Sequence, residues 1–236
     1  MIIFGKNSVH EYLETKKPIL KAFLMDSGNV DFSSRFKQLQ IPIEIVSKQE
    51  MNRRFEGNHQ GVAVEIPDYP TYTLQDLLAN KRPGKYQLIV LLDGIEDPHN
   101  LGAIIRSAEA AGTDGIVIPK HRSVGITPTV VKVASGAIEH IKVATVTNIN
   151  QTIEQLKKQG FWVVGTSLDA TKSYTEIDVS CDLAIVIGAE GKGMAKLVKE
   201  TVDYNVTIPM KGKANSLNAS VSAGILLFDI IRRRTN

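Results

Sequence analysis

The sequence predicts an α/β protein, with a mostly parallel sheet preceded by a small α/β module, and three observations carry that expectation. From Leu88 onward, short apolar runs alternate with segments of helical spacing, the pattern of strands joined by crossover helices. The runs LIVLLD (88–93) and LAIVIG (183–188) are continuously apolar, as strands covered on both faces must be. Between residues 66 and 87 lie Pro67, Pro70 and the pair Pro83-Gly84, the turn chemistry of a linker. The expected division is a module over 1–66, a linker over 67–87 and a main domain over 88–236.

Within the module, helical spacing falls at Ser8–Glu14 and Phe32–Gln40, and strand-like runs at Lys21–Met25, Ile43–Val46 and Gly61–Ile66. The linker holds a short helical piece at Leu74–Ala79. After the strand 88–93, His99–Ala111 has helical spacing and stops at Gly112, a C-terminal cap signal. GIVIP (115–119) is the next strand. Thr127-Pro128 sets an N-cap before a proline at the first helical position and opens a helix to about Ala137. Strands at 142–146 and 161–168 flank a helix at Ile149–Gln159. The strand 183–188, a helix at Ala195–Thr201, a strand at Tyr204–Pro209 and a helix from Asn218 to Arg232 complete the chain.

Composition narrows the function classes. Apolar residues are 43% and charged residues 22%, which excludes a disordered or collagenous chain. A lone Cys181 excludes a disulfide scaffold and a cysteine-based zinc site, and suits a reducing cytoplasm. His10, His59, His99, His121 and His140 lack ligand spacing, so no metal is expected. The longest apolar runs fall far short of the roughly 18 residues of a membrane helix, and the N-terminus has no secretory pattern. The balance of 28 basic against 25 acidic residues is mildly basic and by itself names no partner. There is no G-x-S-x-G elbow.

Ligands of open parallel sheets bind at the carboxyl ends of the strands, and three strand ends here are unusual. After 88–93 comes DGIEDPHNLGAIIR, with Asn100 and Arg106 near the crevice mouth. Asn100 also suits a helix cap. Arg106 stands among Ile104, Ile105 and Ala108, where an arginine wants a partner. After 183–188 come Gly188, Glu190, Gly191 and Gly193, glycines that admit close backbone approach, or only a tight turn. Their spacing matches neither a dinucleotide fingerprint nor a phosphate loop. After 204–209 a basic Gly/Lys loop leads to Asn215-Ser216-Leu217-Asn218, more small polar residues than a cap requires, at a helix N-terminus suited to an electron-rich ligand. Arg232-Arg233-Arg234 reads as a solvated, dipole-complementing helix end, with RNA contact as the alternative.

These three loops, in this order, resemble the signature motifs of the SpoU/TrmH family of RNA ribose 2′-O-methyltransferases, in the SPOUT class. The motifs are N-x-G-x-x-x-R at Asn100–Arg106, I-G-x-E-G-x-G at Ile187–Gly193 and I-P-M…N-S-L-N-x-S-x-x at Ile208–Ser222. GKNSVHEYL (5–13) and HQGVAVE (59–65) resemble the family's L30e-like substrate-binding domain. The resemblance implies a Rossmann-like parallel sheet with a deep C-terminal trefoil knot, which physical reasoning alone would not supply. It further implies a homodimer with the active site at the subunit interface and S-adenosylmethionine as cofactor. Gly188, Ile208 and Leu217 then match cofactor-binding positions. Asn100, Arg106, Glu190, Ser216 and Asn218 match catalytic positions, with Arg106 open between general base, phosphate clamp and electrostatic stabiliser. The two-domain layout points to a guanosine of 23S rRNA. The alternatives are a tRNA or antibiotic-resistance rRNA ribose methyltransferase, or a non-catalytic RNA-binding module of ribosome assembly.

Overall fold

A computed structural model describes residues 1–26, 29–79, 81, 83–213 and 215–235. Asn80 and Arg82 of the expected linker lie outside the described residues. In chain order the first elements are β1 (Ile2–Phe4), α1 (Lys6–Glu14), β2 (Lys21–Met25), α2 (Val30–Gln38), β3 (Ile43–Val46), α3 (Lys48–Arg54) and β4 (Val62–Glu65). Next come α4 (Leu74–Leu78), β5 (Leu88–Asp93), α5 (Pro98–Ala110), β6 (Gly115–Pro119), α6 (Pro128–Ala134) and β7 (Val143–Val146). The chain continues with α7 (Ile149–Lys158), β8 (Trp162–Thr166), β9 (Lys172–Ser173) and β10 (Leu183–Gly188). It ends with α8 (Lys196–Thr201), β11 (Tyr204–Thr207) and α9 (Ala219–Thr235).

The chain divides into two compact units: Met1–Pro70 with Ile126–Gly136, and Thr71–Gly125 with Ala137–Asn236. The first carries a four-stranded sheet in the order β1-β4-β2-β3, parallel only between β2 and β3. Phe23, Val46, Met51, Phe55 and Ala63 form a core on it. The Phe23 and Phe55 rings stand 5.2 Å apart. His59 is buried in the turn before β4, where its Nδ1 accepts the Gly61 N–H at 3.0 Å and its Nε2 meets Asn52 Oδ1 at 2.7 Å. Helix α6 packs against β1, so a segment from the middle of the sequence completes this unit. As expected, Thr127 caps α6, its hydroxyl accepting the Val130 N–H.

The second unit is a seven-stranded, wholly parallel sheet in the order β7-β6-β5-β10-β8-β11-β9. Leu88–Leu92 and Leu183–Ile187 are fully buried, as the continuous apolar runs require. On one face α4 and α7 supply Leu77, Ile153 and Leu156; elsewhere α5 and α9 pack together with Ile104, Ala108, Leu226 and Leu227 buried. Leu74 and Leu77 of α4 belong to this core, and Tyr72 bridges to Ala144, so much of the expected linker is built into the sheet. Strand order reverses between β5 and β10: β6 and β7 continue on one side, β8, β11 and β9 on the other. That is the switch point whose carboxyl end opens a crevice.

Of the arginines at the end of α9, Arg232 is exposed as expected, but Arg233 and Arg234 are not a solvated tail. Arg234 donates to the carbonyls of Val179 at 3.0 Å, Tyr86 at 3.1 Å, Gln87 at 3.2 Å and Cys181 at 2.7 Å. Arg233 pairs with Asp229 at 2.8 Å and donates to Ile177 O at 2.6 Å. The run clamps the segments that lead into β5 and β10. A guanidinium with five donors is suited to gather several orphan carbonyls.

Candidate active site

At the switch point the loop after β10 folds back on itself. Ala189 and Gly193 exchange backbone hydrogen bonds at 3.1 and 2.8 Å, and Gly191 and Gly193 take φ of 76° and 68°, left-handed values that favour glycine. A Cβ on Gly188 would sit 2.2 Å from both Gly193 C and Met194 N, so only glycine fits there. Asp93, at the end of β5, accepts the Ala195 N–H at 2.7 Å and ties the far end of this loop to the neighbouring strand.

Helix α5 starts at Pro98, capped by Asp97, whose Oδ1 accepts the His99 N–H at 2.9 Å. Asn100 therefore lies inside the first turn, and its side chain is released from the capping role that its position in the sequence suggested. It meets Asn218 instead: Asn218 Nδ2 donates to Asn100 Oδ1 at 2.9 Å and to Glu190 Oε2 at 2.9 Å. Asn218 Oδ1 in turn accepts the Ser220 N–H at 2.9 Å and the Ser220 hydroxyl at 2.6 Å. One side chain thus caps the start of α9 and joins the three loops.

A cavity of about 310 Å³ adjoins this cluster, at the carboxyl ends of β8, β10 and β11. Gly188, Glu190, Ile208, Ser216 and Leu217 line it, Gly188 at the end of β10 and the other four on loops. Its apolar lining includes Leu168, Ile187, Val206 and Met210. On its rim Asp169 accepts from Lys199 at 2.5–2.6 Å and from Ser167 at 2.5 Å; these two donors pull the Asp169 carboxyl down to about 2.

Of the eight residues singled out in the sequence, the structure gathers Asn100, Glu190 and Asn218 by direct hydrogen bonds and sets Gly188, Glu190, Ile208, Ser216 and Leu217 around the cavity. Arg106 stands apart, on the exposed face of α5, with no hydrogen bond or ion pair to any described residue. The expectation that its apolar sequence neighbours demand a partner fails, because Ile104, Ile105 and Ala108 turn to the buried side of the helix. Sequence reasoning missed Asp93, Asp169 and Lys199, and placed Ser220 in a motif without giving it a role. Asp93 carried a signal, a carboxylate closing an apolar strand; the pairing of Asp169 with Lys199, 30 residues on, carried none.

Fold and site together define an α/β protein with a small-molecule cavity at the switch point of a parallel sheet, and comparison with known proteins gives the family. Residues 87–228 match the model of the SpoU rRNA Methylase family, and residues 2–72 that of the RNA 2′-O ribose methyltransferase substrate-binding domain. The chain belongs to the SpoU/TrmH family of RNA methyltransferases. It is 42% identical over 237 residues to YacO of Bacillus subtilis (strain 168), assigned to the TrmH family of tRNA/rRNA methyltransferases, covering 98% of this chain and 95% of that one. A Staphylococcus aureus (strain COL) relative of the same description is 41% identical, with 99% and 96% covered. Among solved structures, the SpoU methyltransferase AviRb from Streptomyces viridochromogenes, in complex with AdoMet, superposes with TM-score 0.82 at 22% identity, covering 100% of this chain and 90% of its own. An AdoMet-bound rRNA methyltransferase from Sinorhizobium meliloti gives 0.79 at 26% identity, with 98% and 87% covered.

Proposed function

We propose that this protein transfers a methyl group from S-adenosylmethionine to the ribose 2′-hydroxyl of a guanosine in 23S rRNA, in the cytoplasm. The observation that carries this is the hydrogen-bonded cluster Asn100–Asn218–Glu190 beside the glycine-walled cavity.

The cavity fits the cofactor's chemistry. Its volume lies at the lower end of the range for small-molecule sites. Apolar side chains suit a purine, and the loops of Gly188, Ile208 and Leu217 bring backbone groups to its wall. S-adenosylmethionine supplies a methyl group already activated on sulfur. The protein's task is then to align the ribose hydroxyl, a contribution of several kcal/mol, and to receive its proton. Glu190 and Asn100 orient the ribose, Ser216 holds the neighbouring loop, and Arg106 acts on the hydroxyl or the adjoining phosphate as base, clamp or electrostatic stabiliser.

Arg106 completes the site across a homodimer interface in this reading. In support, Val221 and Phe228 on α9, one heptad apart, are 48% and 52% exposed, an apolar stripe on the helix that packs against α5. The C-terminal segment forms the family's knot, and residues 1–66 recognise the RNA. The substrate-domain match over 2–72 supports the latter. The relatives' description as tRNA/rRNA methyltransferases keeps tRNA as a second reading.

The deciding experiment supplies labelled S-adenosylmethionine with unmodified 23S rRNA and, separately, unmodified tRNA, and maps 2′-O-methyl positions. Modification of one guanosine in 23S rRNA is expected. Modification of tRNA alone would transfer the assignment, and transfer to neither would leave a binding module.

A further inference from the structure

We infer that Ser220 is a positioning residue: it fixes the direction of the hydrogen bonds in the Asn100–Asn218–Glu190 cluster so that Asn100 presents its Nδ2 hydrogens, and not its oxygen, to an oxygen acceptor of the RNA ribose-phosphate. The role rests on the methyl-transfer reading above; the bond directions do not.

An asparagine amide looks much the same either way round, and its orientation is settled by its partners. At Asn218 they leave one choice. The backbone N–H of Ser220 only donates, so the Asn218 atom 2.9 Å from it is Oδ1. The Ser220 hydroxyl, 2.6 Å from the same atom, adds a second donor. Asn218 Nδ2 therefore faces the other way, with two hydrogens and two acceptors: Glu190 Oε2 and an atom of Asn100, each 2.9 Å away. A carboxylate only accepts. The Asn100 atom must accept as well, so it is Oδ1. Both ends of the relay are then fixed: Asn100 Nδ2 has no partner among the described residues, on a half-buried side chain next to the crevice, and Glu190 Oε1 likewise keeps its lone pairs. The cluster offers a donor and an acceptor side by side. Reversing Asn218 would set its NH2 against the Ser220 N–H, and that repulsion locks the relay.

The test has a structural arm and a kinetic arm. In nitrogen-15 spectra of the full-length protein without RNA, the Asn218 side-chain amide protons should exchange slowly with solvent and those of Asn100 rapidly. Protected Asn100 amide protons in the free protein would overturn the inference, whatever the activity. Kinetically, Asn100→Asp keeps Oδ1 for Asn218 and turns the outward donor into an acceptor, so it should lose as much single-turnover rate as Asn100→Ala with unchanged melting temperature; an active Asn100→Asp would show that oxygen was the presented atom. Ser220→Ala should lower the rate about tenfold, the scale of one hydrogen bond, leave the calorimetric Kd for S-adenosylmethionine unchanged, and be rescued by Ser220→Thr. A wild-type rate for Ser220→Ala, or no rescue by threonine, would remove the Ser220 hydroxyl from the relay, since the variant keeps the backbone N–H. Wild-type protein inactive on every RNA, with the exchange pattern as expected, would count against the methyl-transfer reading and leave the bond directions standing.

Discussion

Asn218 shows how one side chain serves two structural ends at once: its oxygen caps α9 and its amide nitrogen joins Asn100 and Glu190. The residues of the site divide by how their surroundings constrain them. Gly188 is constrained sterically. In Gly188→Ala the methyl group meets Gly193 and Met194 backbone at 2.2 Å, and relief requires opening the loop, at about 1–3 kcal/mol. Calorimetry should show cofactor affinity lowered by at least tenfold, while far-UV circular dichroism is kept; wild-type affinity would mean the loop plays no part in binding. Arg106 makes no hydrogen bond or ion pair with any described residue. Arg106→Ala should reduce methyl transfer by about 10²-fold or more, with the cofactor Kd and the melting temperature unchanged, since no hydrogen bond or ion pair to a described residue is lost. Turnover within a few-fold of wild type would refute a catalytic role.

At the scale of elements, what positions the site is how helices and strands begin and end. Asp97 caps α5 and Pro98, directly after it, fixes the first turn, which frees Asn100. Arg234 draws together the carbonyls of Tyr86, Gln87, Val179 and Cys181, so the starts of β5 and β10 share one anchor; burial pushes its guanidinium pKa down, and the hydrogen bonds hold the charge in place. Arg234→Met, which keeps the apolar stem, should cost about 2–4 kcal/mol, because several partly buried carbonyls lose a charged donor. Chemical denaturation reads this directly, and an unchanged midpoint would discount the clamp. Asp169 ties the loop after β8 to α8. Its folded pKa of about 2 lies below the ordinary 3.8, so the tie is intact above about pH 4 and is lost as pH falls through 2. In a carbon-13 titration Lys199→Met should bring the Asp169 midpoint back toward 3.8; a midpoint that stays near 2 would mean that Lys199 is not the cause.

At the scale of the molecule, charge is largely committed internally. From Lys192 onward the sequence has eight basic and three acidic residues, which suggests a basic surface over the loops around the cavity. Lys196 pairs with Glu200, Lys199 with Asp169, Arg232 and Arg233 with Asp229, and Arg234 with carbonyls. Lys192, Lys211 and Lys213 remain exposed, with no ion pair to the described residues. RNA attraction in this segment therefore rests on three lysines. The double variant Lys211→Ala, Lys213→Ala should weaken RNA binding and reduce the slope of log Kd against log salt by about 2, one unit for each phosphate contact. Filter binding across a salt series tests it, and an unchanged slope would place RNA elsewhere.

The sequence by itself determined the α/β class, the strand runs of the parallel sheet and the three loops that carry the site, because continuous apolar stretches and glycine-rich strand ends are local signals. It also determined the family, through motifs each confined to one short stretch of chain. The tertiary structure decided what local signals cannot encode. Strand β10 slots beside β5 although about 90 residues separate them, and α6, enclosed in the sequence by elements of the large sheet, completes the small unit because its apolar side finds β1. The three residues of β1 and the polar α3 are too short or too weakly periodic to announce themselves, and they exist through their partners. The relay from Ser220 to Asn218 to Asn100 and Glu190 spans 118 residues of chain at its widest pair, and hydrogen-bond direction is a property of the folded neighbourhood alone.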